Sequence, residues 1–195
     1  LGVGIMLSPD ARAAHGRAGG EKEIFGDRIV AVRLHHDLLD PAGGTVSLFV
    51  VADYAPTSQH SAEVKAEYDS SLEACLLSRK PGEMLVMGVD ANAQVRSGGL
   101  GGGGRTRGEH GIDRQTPSGL DLIQTCDSFC LCLPMSYFNH RTYTTWRHPR
   151  FKSRHQLDHW VVSRDDLKRV IDAKVLPQGG LHADHLPIVI TLRIA

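Results

Sequence analysis

Residues 84–95 hold the first pair of side chains with chemical potential. Met84-Leu85-Val86-Met87 is an apolar run, closed by Gly88 and followed by Asp90-Ala91-Asn92. Four apolar residues ending in glycine read as a buried central strand that runs into a loop. An acid and an amide two positions apart at such a strand end project from the same side. A carboxylate beside a carboxamide suits a divalent cation, a phosphate, or a water to be activated. The same pair also fits a plain turn, because Asp and Asn favour turns through local hydrogen bonds.

Three further clusters carry titratable groups. Asp184-His185 stands just before a last apolar segment. A histidine beside an acid at a strand start is a general-base candidate, with the acid free to hold a cation. The chain has 11 histidines, so the pair also fits a loop without a role. Asp158 lies in residues 156–163, where alternation puts it on one face with Trp160 and Val162 and opposite Leu157, His159 and Val161. A carboxylate among apolar side chains is costly without a partner. An imidazole is one such partner, since the acid orients the ring and stabilises its protonated form; an arginine would serve as well. Tyr54 directly follows a strand, where its phenol could donate to a phosphate oxygen or simply pack.

Residues 140–155 interleave Arg141, Arg147, Arg150, Lys152 and Arg154 with Tyr143, Trp146 and Phe151, and no acid interrupts them. Cations for phosphates and aromatics for stacking or wedging make a nucleic-acid surface. A solvated basic loop has the same composition.

The elements that must position these groups follow from periodicity. Residues 2–8 read as a strand and 9–26 as a loop. Residues 28–34 and 45–52 are β-branched and apolar around a Pro/Gly turn at 40–44, which predicts an antiparallel hairpin. Val64, Tyr68, Leu72, Cys75 and Leu76 recur at helical spacing within 61–78. Residues 96–110 are glycine-rich and basic, a flexible loop rather than a phosphate cradle. Ser118 is placed as the N-cap of a helix over 118–129. Residues 142–146, 156–163, 170–176 and 187–194 read as strands. Two helices and about eight strands predict a layered α/β domain rich in sheet.

Length and composition set the bounds. The chain has 195 residues, enough for a single domain with a sizeable core. Lys plus Arg (22) equals Asp plus Glu (22), so bulk charge selects no polyanion and any nucleic-acid contact must come from local clustering. Apolar runs are of strand length, so no membrane span is expected. Cys75, Cys126, Cys130 and Cys132 do not form a zinc spacing, and three of them lie in an apolar stretch as buried free thiols. That points to a reducing, intracellular setting.

The order of these pieces is more specific than any one of them. Tyr54-Ala55-Pro56-Thr57 follows a strand. A helix comes next, then the strand ending in Asp90-Ala91-Asn92-Ala93. Tyr143-Thr144-Thr145-Trp146, a basic turn, Gln156-Leu157-Asp158-His159 and Asp184-His185-Leu186-Pro187 complete the series. This order resembles the endonuclease/exonuclease/phosphatase superfamily with the DNase-I-like fold, and within it the apurinic-type endonuclease domains of non-long-terminal-repeat retrotransposons. The resemblance covers nearly the whole chain. It implies a four-layered α/β sandwich of two mostly antiparallel sheets and metal-dependent hydrolysis of phosphate esters.

By resemblance, Asp90 aligns or activates the attacking water and Asn92 holds the scissile phosphate. His185 contacts the phosphate or acts as base, Asp158 orients His185, and Tyr54 contacts the phosphate. Asp184, with Asp90 and Asn92, ligates Mg2+ or Mn2+. Arg147, Arg150, Lys152 and Arg154 match a DNA-gripping hairpin, with Tyr143 and Trp146 beside the site. The implied partners are DNA, or alternatively RNA, and a reverse transcriptase domain in a longer chain. A monomer in the nucleus is expected. Other family substrates, a lipid or a nucleotide, and an inactive remnant that only binds nucleic acid are the alternatives. The family opens with strands ending in an Asn and in Gln-Glu, the Glu being a metal ligand. This sequence begins at what would be the third strand, so an N-terminally incomplete domain is expected. Val89 and Ala183 replace the family's usual Gly and Ser.

Overall fold

The computed structural model describes residues 2–39, 45–98, 105–176 and 183–194. The expected hairpin turn at 40–44 and the centre of the glycine-rich stretch, 99–104, lie outside the described residues. The chain forms two compact units, the first built on residues up to Gly88 and the second on Val89–Arg193.

In the first unit, helix α1 (Pro9–Arg17) precedes strands β1 (Lys22–Phe25), β2 (Ile29–Leu39) and β3 (Thr45–Tyr54). The β2–β3 hairpin is antiparallel as expected, with Ile29 opposite Asp53. β1 pairs antiparallel with β2, and β4 (Glu83–Asp90) lies beside β3. Two expectations are corrected here. Residues 2–8 are not a strand; they pair with nothing described and leave Met6 98% exposed. Residues 9–26 are not a loop but hold α1 and β1. The missed signal is Ser8-Pro9-Asp10: Ser8 caps by accepting the Ala11 N–H at 3.3 Å, Pro9 opens the helix, and Asp10 favours its positive end. Only Ala14 of α1 is buried, so no apolar stripe announced it. Helix α2 (Ala62–Leu77) follows the predicted stripe, burying Leu72, Cys75 and Leu76 behind a Ser61 cap.

In the second unit, the Val89–Asp90 end of β4, then β8 (Asp158–Ser163), then β5 (Leu131–Cys132) are neighbours. Alternation along β8 is as read. Trp160 and Val162 pack with β9 (Val170–Val175) and β10 (Ile188–Leu192), an antiparallel pair, whereas His159 and Val161 are buried outside that cluster. Helix α3 (Pro117–Ser128) is capped by Thr116, not Ser118. The Thr116 hydroxyl accepts the Gly119 N–H at 3.2 Å, and Pro117 takes the first helical position. Gly119 is required there, since a Cβ would run into the Gln94 carbonyl oxygen. Of the predicted strand 142–146 only Trp146 is paired, in the two-residue ladder of β6 (Trp146–Arg147) with β7 (Arg154–His155).

Cys75, Cys126 and Cys132 are buried thiols, each pushed up to about 12 by burial; Cys130, expected to be buried in the same stretch as Cys126 and Cys132, is instead exposed. Among the described residues no helix is long and apolar enough to cross a membrane.

Candidate active site

Asp90 is the last residue of β4. Its Oδ1 accepts the Asn92 N–H at 3.1 Å, and Asn92 closes that turn at φ 47°, a left-handed conformation that asparagine tolerates. The Ala91 N–H donates to the Leu157 carbonyl at 2.9 Å, tying this turn to the start of β8. The turn and the site are thus one object: one oxygen of Asp90 shapes the loop, while Oδ2 lies 4.0 Å from His185 Nε2.

His185 turns its other nitrogen to Asp158. Nδ1 lies 3.0 Å from Asp158 Oδ2 and 3.2 Å from Oδ1, so the carboxylate accepts the Nδ1 proton and fixes the ring. This hydrogen bond raises the His185 pKa above the ordinary imidazole value, against a smaller opposing effect of burial. Asp90 is raised above the usual carboxylate range, first by burial and then by the charge of Asp158. Ligating atoms of Asp90, Asp158 and His185 all lie within 4.8 Å of one another.

Thr145, which no sequence signal distinguished from its neighbouring threonines, holds this arrangement. It is fully buried, and its hydroxyl oxygen accepts the N–H of Leu157 at 2.9 Å and of Asp158 at 3.0 Å. Its N–H donates to the His155 carbonyl at 2.9 Å, and its carbonyl accepts the Leu186 N–H at 2.6 Å. One residue therefore anchors both sides of the Asp158–His185 pair, the Asp158 side through its hydroxyl and the His185 side through its backbone carbonyl. Thr145→Val keeps the shape and strands two part-buried N–H groups, a loss of about 1 kcal/mol per donor, the low end for an unsatisfied group. Chemical denaturation should show that loss, and Thr145→Ser should restore most of it. Equal stability of the Val and Ser variants would sink this role.

Asp184 stands apart from the group of three. Its Oδ2 accepts the Trp146 indole N–H at 2.9 Å and its carbonyl accepts the Arg147 N–H at 3.0 Å. The indole hydrogen bond holds its carboxyl below the usual range. Trp146 also bridges to His185 through the backbone, with ring centroids 6.3 Å apart.

The β6–β7 hairpin sets Arg147 opposite Arg154. At its tip, His148 Nδ1 accepts the N–H of Arg150 at 3.1 Å and of Phe151 at 3.2 Å, while Lys152 turns the chain at φ 56°. Phe151 is 73% exposed, and His148 and His155 each lie 5.3 Å from the Trp146 ring. His148 and His155, which the reading of the sequence did not single out, join the expected aromatic side chains on this face. Tyr143 uses its hydroxyl internally, donating to the Phe138 carbonyl at 2.8 Å and accepting the His140 N–H at 2.9 Å. Tyr54 ends β3 in the first unit, its ring 5.4 Å from the Arg28 guanidinium carbon.

The donor set fits a divalent cation. Asp90 and Asp158 are carboxylates close enough for one to raise the other, a repulsion that a cation relieves. Mg2+ and Mn2+ take carboxylate and amide oxygens and keep several waters, so a few protein ligands suffice.

Strand order and site together define a mixed α/β protein with the DNase-I-like fold. No family model matches the sequence, and no curated protein matches it. Solved structures do. The endonuclease domain of TRAS1, a telomere-specific non-LTR retrotransposon, superposes with a TM-score of 0.60 at 18% identity, over 86% of this chain and 64% of that one. The 3′-5′ exonuclease from Neisseria meningitidis gives 0.61 at 15% identity, over 85% and 65%. The catalytic domain of Xenopus laevis APE2 gives 0.58 at 16% identity, over 85% and 55%. The chain thus spans less than two thirds of the length of these similar structures.

Proposed function

We propose that this chain is a nuclease-type phosphodiesterase domain that cuts DNA with a divalent metal, of the kind that non-LTR retrotransposons carry beside a reverse transcriptase. The observation that carries the proposal is the Asp158–His185 hydrogen bond of 3.0 Å, with Asp90 Oδ2 4.0 Å beyond the other ring nitrogen. That gap admits one oxygen of a substrate or water between an acid and an imidazole.

The geometry divides the labour. Asp90 Oδ2, 4.0 Å from His185 Nε2, would align the attacking water and accept its proton. His185, raised by Asp158, is favoured as the imidazolium and donates its Nε2–H to a phosphoryl oxygen. Asp158 holds the Nδ1 proton and stabilises that cation without taking part in the transfer. A Mg2+ or Mn2+ ion would be held at Asp90, beside Asp158, with Asn92 and Asp184, outside that cluster, as the further oxygen donors the resemblance implies, and would supply positive charge to the phosphoryl and leaving oxygens. The hairpin cations Arg147, Arg150, Lys152 and Arg154 would neutralise backbone phosphates, with Trp146 as a stacking surface. Tyr54 is assigned a phosphate contact.

Supercoiled plasmid tests this. Nicking is expected with Mg2+ and is expected to stop with EDTA, and Asp184→Ala should nick more slowly. Protein that is folded by circular dichroism yet never nicks, while still binding DNA in a salt-sensitive way, would replace hydrolysis by binding alone. Nicking that persists in EDTA would remove the metal.

A further inference from the structure

A cavity of about 480 Å3 opens in the first unit, between the β1–β2 turn and α2, and nothing in the nuclease reading uses it. Arg28, His60, Ser71, Glu67 and Tyr68 are among its lining residues. Its chemistry follows from the proton on His60. His60 Nδ1 accepts the Thr57 N–H at 3.1 Å and lies 2.9 Å from the Thr57 hydroxyl. A backbone N–H can only donate, so Nδ1 is the bare nitrogen and the neutral ring carries its proton on Nε2. Yet Nε2 lies 3.2 Å from Arg28 Nη2, which is also a donor and never an acceptor. Two donors at hydrogen-bond distance repel unless an acceptor lies against both.

Apart from the Tyr54 ring 5.4 Å from its guanidinium carbon, Arg28 has one weak ionic partner. Its side chain is only 14% exposed, and its nearest carboxylate is Asp27, 3.6 Å from Nε and 85% exposed. Its Nη1 is buried with no hydrogen-bond partner. Gly26, at φ 64°, brings the turn so close to α2 that a Cβ there would sit 3.0 Å from Ser71 Oγ, which places a third donor at the same mouth. Tyr68 adds none, because its hydroxyl donates to Asp53 Oδ2 at 2.7 Å.

We infer that this cavity is an oxyanion site for one phosphate group, which would accept from His60 Nε2, Arg28 Nη2 and the Ser71 hydroxyl. A guanidinium with two further donors is the usual recognition set for such a group. Asp27 and Glu67 on the lining repel a run of charges, so the site takes a single group rather than a stretch of polyanion backbone.

The test uses the full chain and needs no nuclease activity. Ring 15N signals of His60 should first show Nε2 protonated and Nδ1 bare in the neutral ring. Titrating inorganic phosphate at constant ionic strength should then shift them saturably, where chloride does not. A 5′-phosphorylated trinucleotide and its unphosphorylated counterpart separate the sources: the tighter of free phosphate and phosphorylated trinucleotide identifies the ligand. Arg28→Gln should weaken binding about tenfold or more, as loss of one charged hydrogen bond requires. Ser71→Ala, which removes only a hydroxyl, should weaken it several-fold and serves if Arg28→Gln does not fold. Absence of any saturable shift overturns the site. So does Ser71→Ala together with a folded Arg28→Gln binding phosphate as tightly as the parent chain.

Discussion

His185→Ala is expected to slow metal-dependent DNA cleavage about 10²- to 10³-fold, the usual effect of removing one donor aimed at developing phosphoryl charge. The chain should stay folded, because the His185 side chain is 36% exposed and lies outside the β8–β9–β10 core cluster. Single-turnover cleavage measures the loss, with circular dichroism as the control. Undiminished cleavage would remove His185 from the site.

The neighbouring Asp158→Asn separates the donor assignment from the base assignment. Asp158 raises the His185 pKa, so the parent chain keeps the imidazolium to a pH above the ordinary histidine value. As donor, His185 loses its proton as pH rises, and activity falls on the alkaline side at that raised pKa. Asparagine withdraws the charge, the pKa returns toward 6.5, and the alkaline limb should move to lower pH. Were His185 the base, the same substitution would instead extend activity toward acid. The linked stability has one sign. A raised folded pKa stabilises fully below the unfolded pKa and is lost as pH rises through the folded one, so the parent chain should lose a small increment of stability above neutrality.

The sequence made the elements with regular periods legible. Residues 61–78 carried the stripe, and residues 84–87 carried the unbroken apolar run of a central strand. Residues 9–17 had capping chemistry but no stripe, because α1 buries a single alanine, and a reading led by periodicity passes over such a helix. Of the site, Asp90 with Asn92 was legible as local turn chemistry, and Asp158 as a carboxylate on a buried face in need of a partner. That its partner is His185, 27 positions on, is a matter of tertiary contact to which alternation is blind. Trp146 with Asp184, and the Thr145 hydroxyl beneath Asp158, are contacts of the same long-range kind. Only the order of motifs, read as a resemblance, brought Asp158 and His185 together beforehand.

The largest loss of stability is expected from Glu83→Ala, at the other end of the strand that carries Asp90. Glu83 and Arg33 are buried, 6% and 9% exposed, and pair through Arg33 Nε and Glu83 Oε1 at 2.8 Å. Glu83 Oε2 also accepts the Lys80 N–H at 2.7 Å, so both carboxylate oxygens are used. Arg33 further donates to the Ser78 carbonyl at 2.7 Å, pairs with Glu23, and lies 4.7 Å from the Phe49 ring centroid. Removing Glu83 strands a buried guanidinium and the Lys80 N–H, a change that costs about 3–5 kcal/mol. Glu23 remains as a second, more exposed partner, which places the expectation at about 3 kcal/mol. That is a large part of the roughly 5–15 kcal/mol that holds a domain folded. Urea unfolding measures it. Arg33→Met combined with Glu83→Leu removes both charges and should recover most of the loss, because the deficit lies in an unpaired buried charge rather than in missing attraction. If the double variant is as unstable as Glu83→Ala, the pair is a source of net stability, and the first strands of the sheet depend on it more than on their apolar contacts.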